Sequence, residues 1–405
     1  MAQIIGRRQY STQSSRIIPN VLPKIILIDE DITNAGFLAF FTRVTKEGTS
    51  QEKFNWDVDQ YRPLSDLVNG AVSGTTATTI DVDNPTYFNV NELWTNKRTG
   101  EIMQIVSVNT ATSQITVVRA ISALNSSGGT AAAAINDNDT LIRVGPVVGE
   151  NSSRQTTATT TPSQVFNYCQ QMRWDLSLSR RQIKRAYETG DELPYQTKKQ
   201  LMEAKKQING TFLVGEKSRF TDSDGNDVTT TGGIMNVPTT YNYAVGGTLH
   251  ENAFDEFLIE EALRVGSRNK LWFASTQQIL AITQIAKERL TYNFVAFGEK
   301  SGSIGVQVME YMAPNGGKLM IVEDRFLSEN FNGDGVIVDM SQLKRRVFSR
   351  NGFDDDLHII PDTNDPDDLG HVSTLYCDMG LQWGAEQNHA LITGVTGGAT
   401  GSSGQ

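Results

Sequence analysis

Between residues 191 and 215 apolar side chains return every three or four positions. Leu201, Ala204, Ile208 and Phe212 form one stripe, and Lys198, Lys199, Lys205 and Lys206 occupy the remaining surface. The spacing predicts one long amphipathic helix over 193–213. Thr189, Asp191 and Glu192 supply cap and first-turn residues, and Pro194 suits the first helical position. Roughly 20 residues of helix span about 30 Å, long for a globular domain and suited to a strut.

A period of two governs the segment before it. Phe54, Trp56 and Val58 alternate with Asn55, Asp57 and Asp59, as in a strand with one covered face. Residues 37–62 therefore read as a two-stranded ribbon, with Lys46 to Ser50, centred on Gly48, as its turn. Such a ribbon is marginal alone and needs something to lie on. Residues 63–150 are rich in Thr, Val, Ile, Asn and Gly. TIDVD, EIMQIVSV, QITVVRAI and TLIRVGPVV are four short strand candidates separated by turn-forming clusters, the pattern of a small inserted β-barrel or sandwich. After a polar linker, WDLSLS reads as a strand and RRQIKRAYE as a short helix.

The second half mixes helix and strand. Phe254, Phe257, Leu258, Ala262 and Val265 mark a helix, LWFA a buried strand and TQQILAITQIAKERL another helix. Strands GVQVMEYM, KLMIVED, GVIVDM and RRVFSR follow, then an acidic loop at 354–368 and a last strand in HVSTLYCDMGLQWG. The closing TGGATGSSGQ is flexible by composition. The fold class is α+β.

Composition narrows the function. The chain has 405 residues, enough for two or three cores, and no apolar run approaches the roughly 18 residues of a membrane span. Two cysteines, Cys169 and Cys377, exclude a disulfide framework. A net charge of −10 argues against a dedicated nucleic-acid binder. The first residues share the Arg and Ser content of transit peptides, but lead directly into a strand-rich segment and read as a basic extended arm carrying Arg7, Arg8 and Arg16.

No motif brings chemistry. DSDGND at 222–227 places Asp227 and Gly233 where a calcium loop needs Gly and Glu, so it reads as a turn. GEKSGS at 298–303 lacks phosphate-loop spacing, and the four histidines have no ligand spacing. The expectation is no catalytic residue, no metal and no cofactor. Two basic clusters remain: RRQIKR, with Arg180, Arg181, Lys184 and Arg185, and KRR at 344–346. Pairing with acids of a neighbouring chain, such as Asp354, Asp355, Asp356, Asp362, Asp365, Asp367 and Asp368, is preferred to nucleic acid because the overall charge is acidic.

In their order these elements resemble the major capsid protein of tailed bacteriophages, the Hong Kong 97-type fold. The local matches are NYCQQM followed by a strand, the helix ending in NGTFLVGEKSR, GVQVMEYMAPNGGKLMIVED, and MSQLKRRVFSR followed by HVSTLYCDMGLQW. The resemblance implies an N-terminal arm at 1–36, an E-loop at 37–62 and an inserted β domain at 63–150. It further implies a peripheral domain at 151–245 with a spine helix at 193–213, an axial domain at 246–325, a return to the peripheral domain at 326–395 and a flexible tail at 396–405. It implies a structural protein, located in the virion and in the host cytoplasm during assembly. Hexamers and pentamers would form an icosahedral shell around double-stranded DNA, with portal, scaffold or decoration proteins as further partners and no membrane. Arg43, Lys46, Glu47, Lys53, Phe54 and Trp56 would be E-loop contacts between subunits. Arg7, Arg8, Arg16, Arg180, Arg181, Lys184 and Arg185 would face a neighbour or the DNA. Alternatives from other classes are a tail-tube or decoration protein and a soluble α+β enzyme.

Overall fold

The computed structural model describes residues 36–41, 44–123, 130–150, 159–185, 191–290, 310–350, 353–361, 363 and 370–399. Two compact units result. Unit 1 takes the described residues up to Trp56 and from Val165 onward, and unit 2 takes Asp57–Gln164. Unit 1 opens with Phe37–Phe41 (α1), Lys46–Thr49 (β1) and Lys53–Val58 (β2), the last running into unit 2.

Unit 2 contains Ser65–Leu67 (β3), Thr79–Asp81 (β4), Glu92–Asn96 (β5), Ile102–Asn109 (β6), Gln114–Val118 (β7) and Thr140–Pro146 (β8). They form one antiparallel sheet in the order β3-β8-β5-β6-β7-β4. An antiparallel bridge between Val68 and Val82, with Asn69 N–H donating to Asp81 O at 2.9 Å, brings its two edges together as a small barrel. Trp94, Met103, Ile105, Ile115, Val117 and Leu141 fill its interior. Glu101 is wholly buried there and accepts from Arg119 Nε at 2.9 Å and Nη2 at 2.6 Å, the bidentate geometry that makes such a pair tolerable. Strand β5 escaped the sequence reading because its inward positions include Glu92 and Asn96, a polar pattern that hides the buried face.

The chain returns to unit 1 through Ser163–Tyr168 (β9), which pairs with β2. Gln170–Ser179 (β10), Arg180–Lys184 (α2) and Glu192–Val214 (α3) follow. The long helix has 23 residues, about 35 Å, and buries Ala204, Ile208, Phe212 and Leu213. Gly210 permits a close approach, since a Cβ there would lie 2.7 Å from the Phe326 ring. Next come a hairpin of Ser218–Thr221 (β11) and Asp227–Thr230 (β12), then Asn242–His250 (β13), Glu251–Phe257 (α4), Asn269–Ala274 (β14) and Thr276–Leu290 (α5). Glu310–Met312 (β15), Lys318–Glu323 (β16), Arg325–Asn330 (α6), Gly335–Val338 (β17) and Lys344–Arg350 (β18) precede Phe353–Asp354 (β19), His358–Ile360 (β20), Gly370–Gln382 (β21) and Ala390–Ala399 (β22).

Two sheets organise this unit. One runs β1-β18-β21-β10, with β19 and β20 attached; the other runs β13-β22-β17-β14-β16-β15. Side chains of alternate parity on the central strands face different cores. Phe273, Val336 and Val338 join α1, α3 and the first sheet, whereas Trp272 and Ile337 join α4 and α5. Buried Asp324 ties three helices together, accepting from Phe37 N at 2.8 Å, Phe326 N at 3.0 Å and Asn209 Nδ2 at 3.2 Å.

Two expectations are corrected here. Residues 37–62 do not close on themselves as a ribbon: Lys46–Thr49, read as a turn, pairs in parallel with β18, and β2 pairs with β9. Gly48 serves strand packing, since a Cβ there would lie 3.1 Å from the Ser349 Cβ. The tail expected to be flexible from 396 is strand through Ala399. Its Gly398 lets the backbone touch α5, where a Cβ would lie 2.0 Å from Ala281 O.

Candidate subunit-contact surfaces

Six residues were expected to reach a neighbouring subunit from the ribbon. Arg43 lies outside the described residues; the other five find partners within their own chain. Lys46 Nζ lies 2.9 Å from Asp354 and 3.2 Å from Asp356. Glu47 lies 3.1 Å from both Lys344 and Arg346. Burial opposes both charges, but the neighbouring carboxylates raise Lys46 and the neighbouring cations lower Glu47. The parallel register Lys46↔Arg345 and Glu47↔Arg346 brings these opposite charges together. The KRR cluster and the acids Asp354 and Asp356 are thus matched inside one chain, with Arg345 Nη1 3.0 Å from Asp356.

The aromatic anchors are also internal. Phe54 is 5% exposed, stacks on Trp56 at 6.0 Å and has the Arg346 guanidinium 5.7 Å from its ring. Trp56 donates its indole N–H to Gly384 O at 2.8 Å and meets Trp383 edge to face at 5.0 Å. Lys53 stands 4.0 Å from the Phe166 ring centroid, and Lys217 approaches the same ring at 4.5 Å. The alternation in β2 was legible in the sequence. Its cover was not, because Gly380, Gly384 and Arg346 come from distant parts of the chain.

Arg7, Arg8 and Arg16 lie outside the described residues. Arg180, Arg181, Lys184 and Arg185 are exposed at the end of β10 and along α2, and line an open concavity with Ser177, Ser179 and Gly370. Unlike the cations of β18, they make no ion pair among the described residues. Ser179 caps the short helix by accepting from Gln182 N, so their clustering follows from local backbone geometry.

Chemistry is sparse elsewhere. Among the described residues no group of three His, Cys, Asp or Glu side chains is arranged to hold a metal ion. DSDGND forms the tip of the β11–β12 hairpin, with Asp222 accepting from Asp224 N at 2.9 Å and Asn226 N at 2.8 Å, while GEKSGS lies outside the described residues. Sequence reasoning missed one buried polar network. Lys270 Nζ donates to Asn388 O at 2.8 Å and Val265 O at 2.9 Å, and burial lowers it to about 8. His389, lowered to about 4 by burial, has Nε2 2.8 Å from Trp383 O and accepts from Asp339 N at Nδ1. Asp339 in turn accepts from Ser267 N at 2.8 Å and Ser341 Oγ at 2.6 Å. These bonds fix the turns after β17 and before β22. Burial likewise raises both cysteines to about 12, away from reactive thiolates.

The fold is a long helix, two sheets and an inserted barrel. Residues 7–396 match the SU10 major capsid protein family, and the chain belongs to it. It is a structural protein of a tailed-phage capsid shell, located in the virion. Solved structures agree on the fold. The capsid of a native GTA particle aligns with 97% of this chain and 100% of its own at a TM-score of 0.52 and 9% identity. The capsid of the empty GTA particle aligns over the same shares with a TM-score of 0.53. No curated protein matches in sequence. The tail-tube, decoration and soluble-enzyme alternatives give way to the family.

Proposed function

We propose that this chain assembles head to tail into hexamers and pentamers, which close into an icosahedral shell around double-stranded DNA. The observation that carries this reading is the match of residues 7–396, nearly the whole chain, to a major capsid family. A heterologous interface closes into rings when its rotation allows, and one surface can then serve both ring sizes. In this reading α3 is the spine helix, and the β1-β18-β21-β10 sheet belongs with it in the peripheral domain. The sheet centred on β14 builds the axial region, and unit 2 is the insertion. The subunit contacts shift from Phe54 and Trp56, which are covered, to exposed groups. The Arg180, Arg181, Lys184 and Arg185 cluster is the strongest of these, facing acids of a neighbour or the packaged DNA. Portal, scaffold or decoration proteins complete the set of partners.

Native mass spectrometry of gently dissociated particles tests the ring sizes. Five- and six-fold multiples of the chain mass are expected; a ladder of dimers and tetramers would contradict the proposal. Replacing the four cations of the cluster with Gln separates its two roles. Loss of rings marks a subunit contact, and normal shells with a weaker salt dependence of DNA retention mark a DNA contact.

A further inference from the structure

Strand β21 presents Cys377, Met379 and Leu381 to the core beneath α3. Asp378 and Gly380 therefore face the opposite side, which the paired strands β2 and β9 cover. The cover is close: a Cβ on Gly380 would lie 2.6 Å from Tyr168 O and 2.8 Å from the Phe54 ring. Asn167 Nδ2, on β9, donates to Leu381 O at 2.7 Å. Asp378 is 3% exposed in this layer. The Gln171 side chain bonds its carboxyl group, but Oδ1 is buried without any partner.

The charges around it make ionisation unfavourable. Asp355, whose carbonyl accepts from Asp378 N at 2.8 Å, and Glu52, whose carbonyl accepts from Cys169 N at 2.8 Å, both bear on Asp378 with like charge. The cations on the packed elements are engaged elsewhere. Arg346 on β18 binds Glu47 at 3.1 Å and Gln382 at 2.7 Å, Lys53 on β2 lies over Phe166, and Arg173 on β10 pairs with Asp175 at 2.8 Å. Asp356 is taken by Arg345 and Lys46. Cys169, Tyr376 and Cys377 are all pushed up to about 12 and stay neutral. His358, 5.8 Å from the Tyr376 ring, is the remaining titratable neighbour on β20.

We propose that Asp378 is a proton-operated latch for the β2–β9 ribbon: protonated, it lets the ribbon seat on β21, and ionised, it loosens that seating. The proton is the neutraliser the site admits, since no cation contacts the carboxylate and no metal-holding group exists among the described residues. Burial first, then Asp355 and Glu52, raise the carboxyl to about 6. In an opened ribbon it regains water and an ordinary value near 4. The seated form then binds more protons between those values, so seating weakens as pH rises through that window and levels off above it. Both strands by which the chain leaves for and returns from unit 2 are under this control.

The test is hydrogen exchange by mass spectrometry on the full chain, comparing pH 5 with pH 7 after correction for intrinsic rates. Peptides over 50–58 and 163–170 report the ribbon, and β6 and β7 of unit 2 serve as internal control. The opening constant of the ribbon is expected to rise about tenfold from pH 5 to pH 7, from the two-unit separation, while the control stays level. Asp378→Asn should hold the ribbon closed at both values, and His358→Gln should leave the wild-type response unchanged. Should Asp378→Asn fail to fold, Glu52→Gln removes a like charge and is expected to move the transition to lower pH. A ribbon indifferent to pH in the wild type, a response that survives Asp378→Asn, or one abolished by His358→Gln would overturn the proposal.

Discussion

Phe54 shows at the residue scale what a sequence pattern can and cannot carry. Its alternation with polar neighbours states that one face of β2 is covered, and 5% exposure agrees. The pattern is silent on what does the covering, which is Gly380, Arg346 and Trp56 of the same chain. Phe54→Ala should therefore destabilise the isolated subunit, by about 3–5 kcal/mol for a buried aromatic, visible in urea unfolding below any assembly concentration. Unchanged subunit stability with lost assembly would restore the inter-subunit reading. Glycine carries the same ambiguity. Gly398 and Gly48 read as flexible or turning, yet both mark places where two backbones approach closely. A missing side chain looks the same in sequence whether it frees the backbone or makes room for a neighbour.

Among the elements, α3 was legible nearly to its ends because its stripe of Ala204, Ile208 and Phe212 repeats over several turns and its start carries Asp191 and Glu192. Strand β1 was not, because KEGT has no apolar alternation. Charge fixes it instead, through Lys46 with Asp354 and Asp356 and Glu47 with Lys344 and Arg346. The pH dependence follows from the lowered carboxyls. Asp354, lowered by Ser349 and Lys46, and Glu47 are below their ordinary values, so their contribution is present above about pH 4.5 and is lost as pH falls through the folded-state values. Strand β1 should accordingly lose hydrogen-exchange protection between pH 4.5 and pH 3, and sooner at high salt. Protection at 46–49 that is constant down to pH 3 would contradict this. The window lies mostly below that of Asp378, so one acidification series separates tightening of the β2–β9 ribbon from release of β1.

For the whole molecule, two units with separate cores imply two melting events. Unit 2 encloses its own barrel interior, and its Glu101–Arg119 pair is buried with no second counter-ion for Arg119 among the described residues. Glu101→Gln should lower the unit 2 transition by about 3–5 kcal/mol, the cost of orphaning a buried charge, and leave the other transition in place in calorimetry. A single transition that moves as one would show that the units unfold together. The order of elements along the chain was legible as a capsid protein because the long helix, the inserted strands and the late strand pairs keep their sequence even where the motifs are loose. The exchange of β17 and β22 into the sheet of β14 was hidden, since strand pairing across long separations leaves no local trace.

The central claim is that this chain builds a closed shell from copies of itself. Electron microscopy of the purified, concentrated protein, alone and co-expressed with its assembly partners, tests that most directly. The account predicts shells, or sheets and tubes, tiled by six-fold capsomers. A homogeneous monomer under both conditions would contradict it.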